Sequence, residues 1–209
     1  MTINVRPCFN TIVRKGEETR RAILDEAVQV ASQDGLRGLT IGQLAAHIEM
    51  SKSGLFAHFK SKESLQLEVL EHARQRFIDK VVRPALAATR GMPRVRSLFD
   101  HWLTWAADEL EGGCFFVAAA AELDDRPGPV RDALVRSERD WLDAIATIAA
   151  TAVAEGEFRA DLDVAQFAYD LHGIMLSYHH ASRLLRDERA PEWARRAFES
   201  LVEAACRPT

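Results

Sequence analysis

From Ile23 to Ala205 the apolar residues of this chain recur at every third or fourth position, and no stretch alternates as a half-buried strand would. That period leaves an all-α fold, and the punctuation divides it into about nine helices. Ile23, Leu24, Ala27, Val30 and Ala31 share the inner face of a first helix, which Gly35 stops and a tail before Thr19 precedes. Thr40 is placed to cap a second helix burying Ile41, Leu44, Ala45 and Ile48, and Ser51 a third burying Leu55 and Phe59. Ser61 opens a long fourth helix through Leu67, Leu70, Phe77, Ile78 and Val81, which Pro84 is expected to bend or end. A fifth runs from Pro93 through Val95, Leu98, Trp102 and Ala106 to the Gly112-Gly113 pair. CFFVAAAAEL makes a short sixth, and after the turn DDRPGP a long seventh carries Leu134, Trp141, Ile145, Ile148 and Ala152 to Gly156. Asp161 or Asp163 starts an eighth, with Val164, Ala168, Leu171, Met175, Tyr178 and Leu185 on one stripe; after Pro191 a ninth presents Trp193, Ala197, Leu201 and Ala205.

With 209 residues, 47% of them hydrophobic and 28% charged, the chain can form one or two true cores. No apolar run approaches the roughly 18 residues of a membrane span. The amino-terminal MTINVRPCFNTIVRKGEE lacks the apolar centre of a secretory signal, so a cytoplasmic protein without a membrane partner is expected. Cys8, Cys114 and Cys206 are far apart and form no CxxC pair, which predicts neither a disulfide framework nor a thiolate zinc site. Charge is unevenly divided. Residues 1–62 hold nine Lys and Arg against six Asp and Glu, net +3, whereas residues 63–209 hold 18 against 25, net −7. A basic module over 1–62 therefore precedes an acidic one over 63–209.

Within the basic module, TIGQLAAHIEMSKSGLFAHF has the length of a helix-turn-helix: a first helix with small Ala45 at the crossing, a tight turn, and a capped second helix with a polar outer face. The fuller phrase LTIGQLAAHIEMSKSGLFAHFKSKESL resembles the amino-terminal domain of the TetR/AcrR family of transcriptional regulators. The resemblance covers residues 18 to about 70 and rests on Thr40, Ala45, Ser51-Lys52, Leu55, His58-Phe59 and Lys62-Glu63. Beyond it only the architecture matches, the family adding divergent helices that form a ligand pocket and a homodimer interface.

The resemblance implies double-stranded operator DNA as a partner. Thr40, Lys62 and the first amides of helix four would hold phosphates, with Gln43, Lys52 and Ser53 nearest base edges; Ser51, Gly54 and Phe56 complete the DNA-facing set, and His58 joins it as a structural or phosphate-side residue. Three positions depart from the family pattern. Phe56 stands where Tyr is usual and removes a hydroxyl that would bond phosphate. Gly54 stands where Thr or Ala is frequent. Glu49 replaces the Gly common in the inter-helix turn, which predicts a turn of different shape. Leu55 and Phe59 read as core, His47 as solvent-facing, and Arg14, Lys15, Arg20 and Arg21 as candidates for the DNA flanks or as plain surface.

No catalytic, metal or cofactor site emerges. His172 and His179 share a helix face at about 10.5 Å along the axis, too far for one metal ion, and HExxH, ExxH and GxSxG are absent. Cys114 precedes an apolar run, which favours burial over reactivity. An aromatic pocket fits better, with candidate walls Phe99, Trp102, Trp105, Cys114, Phe115, Phe116, His172, Met175, Tyr178 and His179, for a mostly apolar small-molecule effector. Core packing is the competing reading for each ring.

Helices at about 163–187 and 191–206 carry a second apolar face, with Phe167, Tyr169 and Ile174 opposite the Leu171–Met175 stripe and Gly173 allowing close approach. The resemblance makes that face a homodimer interface. The combined expectation is a ligand-responsive repressor on a palindromic operator, with helix four linking pocket to DNA reader. A helical small-molecule binder or enzyme with a purely structural helix-turn-helix is the alternative, and a DNA architectural protein without a ligand a third.

Overall fold

The structure, a computed structural model, describes the backbone of residues 6–206 and the side chains of residues 16–206. The side chains of Cys8, Arg14 and Lys15, read from the sequence as a lone thiol and as flank contacts, lie outside the described residues. Among the described residues there are nine helices and no strand.

The first three are α1 (Arg6–Asp34), α2 (Ile41–His47) and α3 (Lys52–His58). Helix α1 starts well before Thr19 and passes through Gly16, because one glycine costs a helix only about 1 kcal/mol. Helix α4 does not stop at Pro84. It comprises Lys62–Phe77, a π turn Ile78–Val82 and Arg83–Ala87. Proline there lacks the N–H that would bond a carbonyl one turn back, and its ring presses on that carbonyl. The wider π turn, in which Arg83 N–H reaches Ile78 O, absorbs both defects.

Helix α5 is Met92–Thr104 followed by a π turn Trp105–Glu109; α6 is Phe115–Leu123 and α7 is Pro129–Ala154. Helix α8 is Val164–His179 plus a π turn His180–Leu184, and α9 is Ala190–Cys206. Asp163, rather than Asp161, caps α8, its carboxylate accepting from the amides of Ala165 and Gln166.

Helix α4 is the shared element. It packs on α1 at one end and on α7 at the other, while α7, α8 and α9 pack in series. Phe77 of α4 meets Trp105 edge-on at 5.3 Å and Trp141 at 4.9 Å. Phe99 of α5 stacks on Phe198 of α9 at 4.1 Å, nearly parallel. The expected faces of the last two helices need adjustment. Phe167 turns inward against Phe158, Leu185 is exposed beyond the end of the π turn, and α9 buries Ala194, Phe198, Val202 and Ala205 rather than Trp193 and Ala197. The inward stripe drifts around the axis because 3.6 residues per turn does not divide the spacing assumed over several turns.

Candidate nucleic-acid interface and ligand cavity

Short-range bonds fix α2 and α3. Thr40 Oγ1 accepts from Gln43 N–H at 3.2 Å and donates to Gln43 Oε1 at 2.9 Å. Ser51 Oγ accepts from Gly54 N–H at 3.1 Å. Between the helices Glu49 is left-handed, with φ 55°, and Met50 N–H donates to Ala45 O at 2.9 Å. This is a Schellman closure, the geometry glycine normally supplies, so the turn keeps its shape and carries about 1 kcal/mol of strain instead of changing. A Cβ at Gly54 would stand 3.0 Å from Ser51 Oγ, so a side chain there requires the capping hydroxyl to give by a few tenths of an ångström.

Leu55 and Phe59 are 0% exposed, and Lys52, Ser53, Phe56 and Lys60 lie on the outer side of α3 and beyond its end. Phe56 is 55% exposed, a large ring with no core role. Lys52 lies across the first turn of α2, its Nζ 3.6 Å from where a Cβ of Gly42 would be. Gln43 and His47 are exposed, the latter 3.6 Å from Glu26. His58 is half-buried.

Two cations are turned to the fold. Arg20 donates to His58 O at 2.7 Å, pairs with Glu68 and sits 4.7 Å over the Phe59 ring. It staples α1 to α3 and α4 instead of pointing outward. Lys62 Nζ donates to Arg37 O at 2.6 Å, which engages one of its three N–H bonds. Arg21 is exposed.

The loop between α1 and α2 is gripped from two sides. The Glu122 carboxylate of α6 accepts from Leu36 N–H at 3.2 Å and Arg37 N–H at 2.9 Å. From α4, Gln66 Nε2 donates to Leu36 O at 2.7 Å, beside the Lys62 bond. Gly35 is left-handed, and a Cβ there would lie 2.5 Å from Glu122 Oε1. Gly112 N–H donates to Ser32 Oγ at 3.2 Å, and a Cβ on Gly112 would fall 1.8 Å from Ser32 O. A further chain runs from α1 to α5: Asp25 takes His72 Nε2 at 2.8 Å and Arg76 at 3.3 Å, and Arg76 reaches Glu109 at 2.9 Å.

A small cavity of about 40 Å³ lies between α4, α5, α6, α7 and α8, lined by Arg74, Phe77, Trp102, Cys114, Phe116, Val117, Ser137, Glu138, Trp141 and His172. Of the ten expected walls it gathers four: Trp102, Cys114, Phe116 and His172. The other six fill core or flank. Phe99 is stacked on Phe198, Trp105 and Phe115 pack edge-on against Phe77 and Phe116, and Met175 is wholly buried. Tyr178 meets Trp102 edge-on at 5.7 Å, and His179 lies by Gly113. Sequence reasoning missed Phe77, Trp141 and Glu138. The apolar stripes of α4 and α7 already held the two rings. A glutamate in the exposed-looking run VRSERD gave no signal.

His172 Nε2 stands 3.9 Å from Glu138 Oε2. Burial pushes the Glu138 carboxyl up and the His172 imidazole down from their ordinary values. Burial also pushes the Cys114 thiol up, which disfavours the reactive thiolate.

A third surface is a groove of about 570 Å³ along α8 and α9, lined by Tyr169, Gly173, Leu176, Tyr178, Trp193 and Ala197 among others. Tyr169 is 71% exposed, and nothing stands within 4 Å of where a Cβ of Gly173 would lie.

Residues 91–198 match the family profile described as "Tetracyclin repressor-like, C-terminal domain", and residues 23–69 that described as "Bacterial regulatory proteins, tetR family". The transcriptional regulator TcmR of Streptomyces glaucescens is 26% identical over 204 residues, covering 87% of this chain and 89% of that protein. A TetR transcriptional regulator from Chloroflexus aurantiacus superposes with a TM-score of 0.80 at 25% identity, over 91% of this chain and 95% of that one. AibR, solved in complex with isovaleryl coenzyme A and operator DNA, shares the fold with a TM-score of 0.69 at 19% identity, over 91% and 99% of the two chains.

Proposed function

The chain belongs to the TetR family of bacterial transcriptional regulators, and from that premise we propose that it is a homodimeric repressor released from a palindromic operator by a small molecule bound in the cavity. It is a DNA-binding regulator and not an enzyme. One observation carries the reading: α3 buries Leu55 and Phe59 completely while Lys52, Ser53 and Phe56 stay exposed among the described residues. A helix anchored from beneath with a cationic free side is what a major groove admits.

In this reading Ser53, Gln43 and Lys52 meet base edges, Lys52 by swinging off the first turn of α2. Thr40, Ser51, Lys62 and the opening amides of α4 meet phosphate, with Gly54 and His58 beside the backbone. Phe56 touches the methyl of thymine in place of a hydroxyl contact. The basic module 1–62 is the reader and 63–209 the sensing and dimerising part. The groove along α8 and α9 receives the same helices of a second copy, because its exposed Tyr169, Leu176 and Trp193 surround the bare Gly173. Such a dimer presents two α3 helices about 34–36 Å apart.

Release then has a physical route. A ligand that parts the cavity walls displaces α4 at Phe77 and α6 at Phe116, and these two helices hold the α1–α2 loop through Lys62, Gln66 and Glu122. The ligand acts only by binding the DNA-free form more tightly, so operator must weaken ligand by the same factor. Selection of bound DNA from a random pool by the purified protein tests the core of the proposal. A near-palindrome is expected, with log K falling by about 0.9 per neutralised phosphate as log salt rises. Recovery of unrelated sequences would overturn it.

A further inference from the structure

We propose that the cavity takes a lipophilic organic cation, a diffuse ammonium on an aromatic or branched apolar body, with Glu138 as its counter-charge. The inference rests on the reading of this cavity as the ligand site and adds the charge of the ligand.

Four rings, Phe77, Trp102, Phe116 and Trp141, come to the cavity from four different helices. Aromatic rings are the one apolar lining that also attracts positive charge, through their electron-rich faces. Among them stands Glu138, whose nearest basic neighbour is the His172 imidazole at 3.9 Å, beyond hydrogen-bond length and pushed towards its neutral form by burial. The other charge on the lining, Arg74, is held at 3.1 Å by Glu71 of its own helix. Glu138 is therefore the lining charge without a close counter-ion. A half-buried carboxylate in that position is costly until a cation arrives, and burial already raises its affinity for a proton. A neutral guest leaves that cost in place, and an anionic guest adds repulsion. The present 40 Å³ is little more than the share of one water, so a trimethylammonium group has to part the rings on entry.

Phenyltrimethylammonium and tert-butylbenzene have nearly the same shape and differ in one positive charge. Titrated separately against tryptophan fluorescence, the cation should bind roughly tenfold more tightly. In Glu138→Gln the preference should vanish through loss of cation affinity, while tert-butylbenzene binds as before and so reports an intact cavity. Equal affinities in the parent protein, or an equal loss of both in the variant, would overturn the proposal. Operator binding is measured on the same samples by mobility shift. Protein that holds operator but shows no cation preference defeats this inference and leaves the regulator reading standing. Cation selectivity through Glu138 in protein that binds no operator does the reverse.

Discussion

The caps and the turn that shape α2 and α3 close over three to five residues: Thr40 to Gln43, Ala45 to Met50, Ser51 to Gly54. The cavity is assembled the other way. Its lining runs from Arg74 to His172 and draws on five helices, and its links to the reader, Glu122 to Leu36 and Gly112 to Ser32, span 86 and 80 residues. The reading head is thus specified by its own short sequence. The cavity exists only once distant helices have packed. A head so encoded can keep its shape while the rest of the molecule shifts beneath it, which is what the proposed release by a ligand requires.

Substitutions at the two ends should behave differently, and the largest effect should come from the head's anchor. Phe59→Ala should cost about 3–5 kcal/mol in chemical denaturation and abolish operator binding, because a fully buried ring also holding Arg20 leaves a cavity. A loss near zero would show that α3 is not locked from beneath. Glu122→Ala strips two backbone amides of their acceptor and should cost about 1–3 kcal/mol. It should also shrink the factor by which ligand weakens operator binding, measured by titrating ligand with and without DNA; an unchanged factor would remove α6 from the route.

Lys52→Ala should leave stability within about 0.5 kcal/mol and cut discrimination among operators by about 1–3 kcal/mol, as read by melting and by competition binding. Glu49→Gly should raise stability by less than about 1 kcal/mol, since relief of the left-handed strain is partly offset by the freer unfolded chain. The smallest effect belongs to the cavity. The His172 imidazole is held below its ordinary value of 6.5, so the folded protein binds fewer protons there than the unfolded chain. Stability should fall as pH drops below 6.5, with His179 acting in the same direction, and His172→Gln should flatten that slope in a pH series of melts. Glu138 acts oppositely at lower pH, its raised carboxyl favouring the fold as pH falls towards its ordinary value of 4.5.

The legible and the illegible residues follow the same division. Thr40, Ser51, Ser61 and Asp163 announce helix starts because a cap bonds an amide two or three positions on. Leu55 and Phe59 announce the buried side of α3 because that helix is only two turns long. Phe99 and Trp105 misled because an aromatic stripe states that rings face inward without stating towards what. Glu138 was invisible for the complementary reason: a carboxylate in a charged run reads as solvated until α8 brings His172 over it.

The capped starts at Thr40, Ser51, Ser61 and Asp163 and the anchored side of α3 were thus decided by the sequence alone, through bonds and periods a few residues long. Which rings enclose the cavity, that Glu138 joins them, that Arg20 and Lys62 are drawn to the fold, and that α6 grips the α1–α2 loop were decided only by tertiary packing. The reason is that these contacts join residues tens of positions apart, and the free energy that selects them is the burial of whole helix faces, to which no local pattern gives a direction.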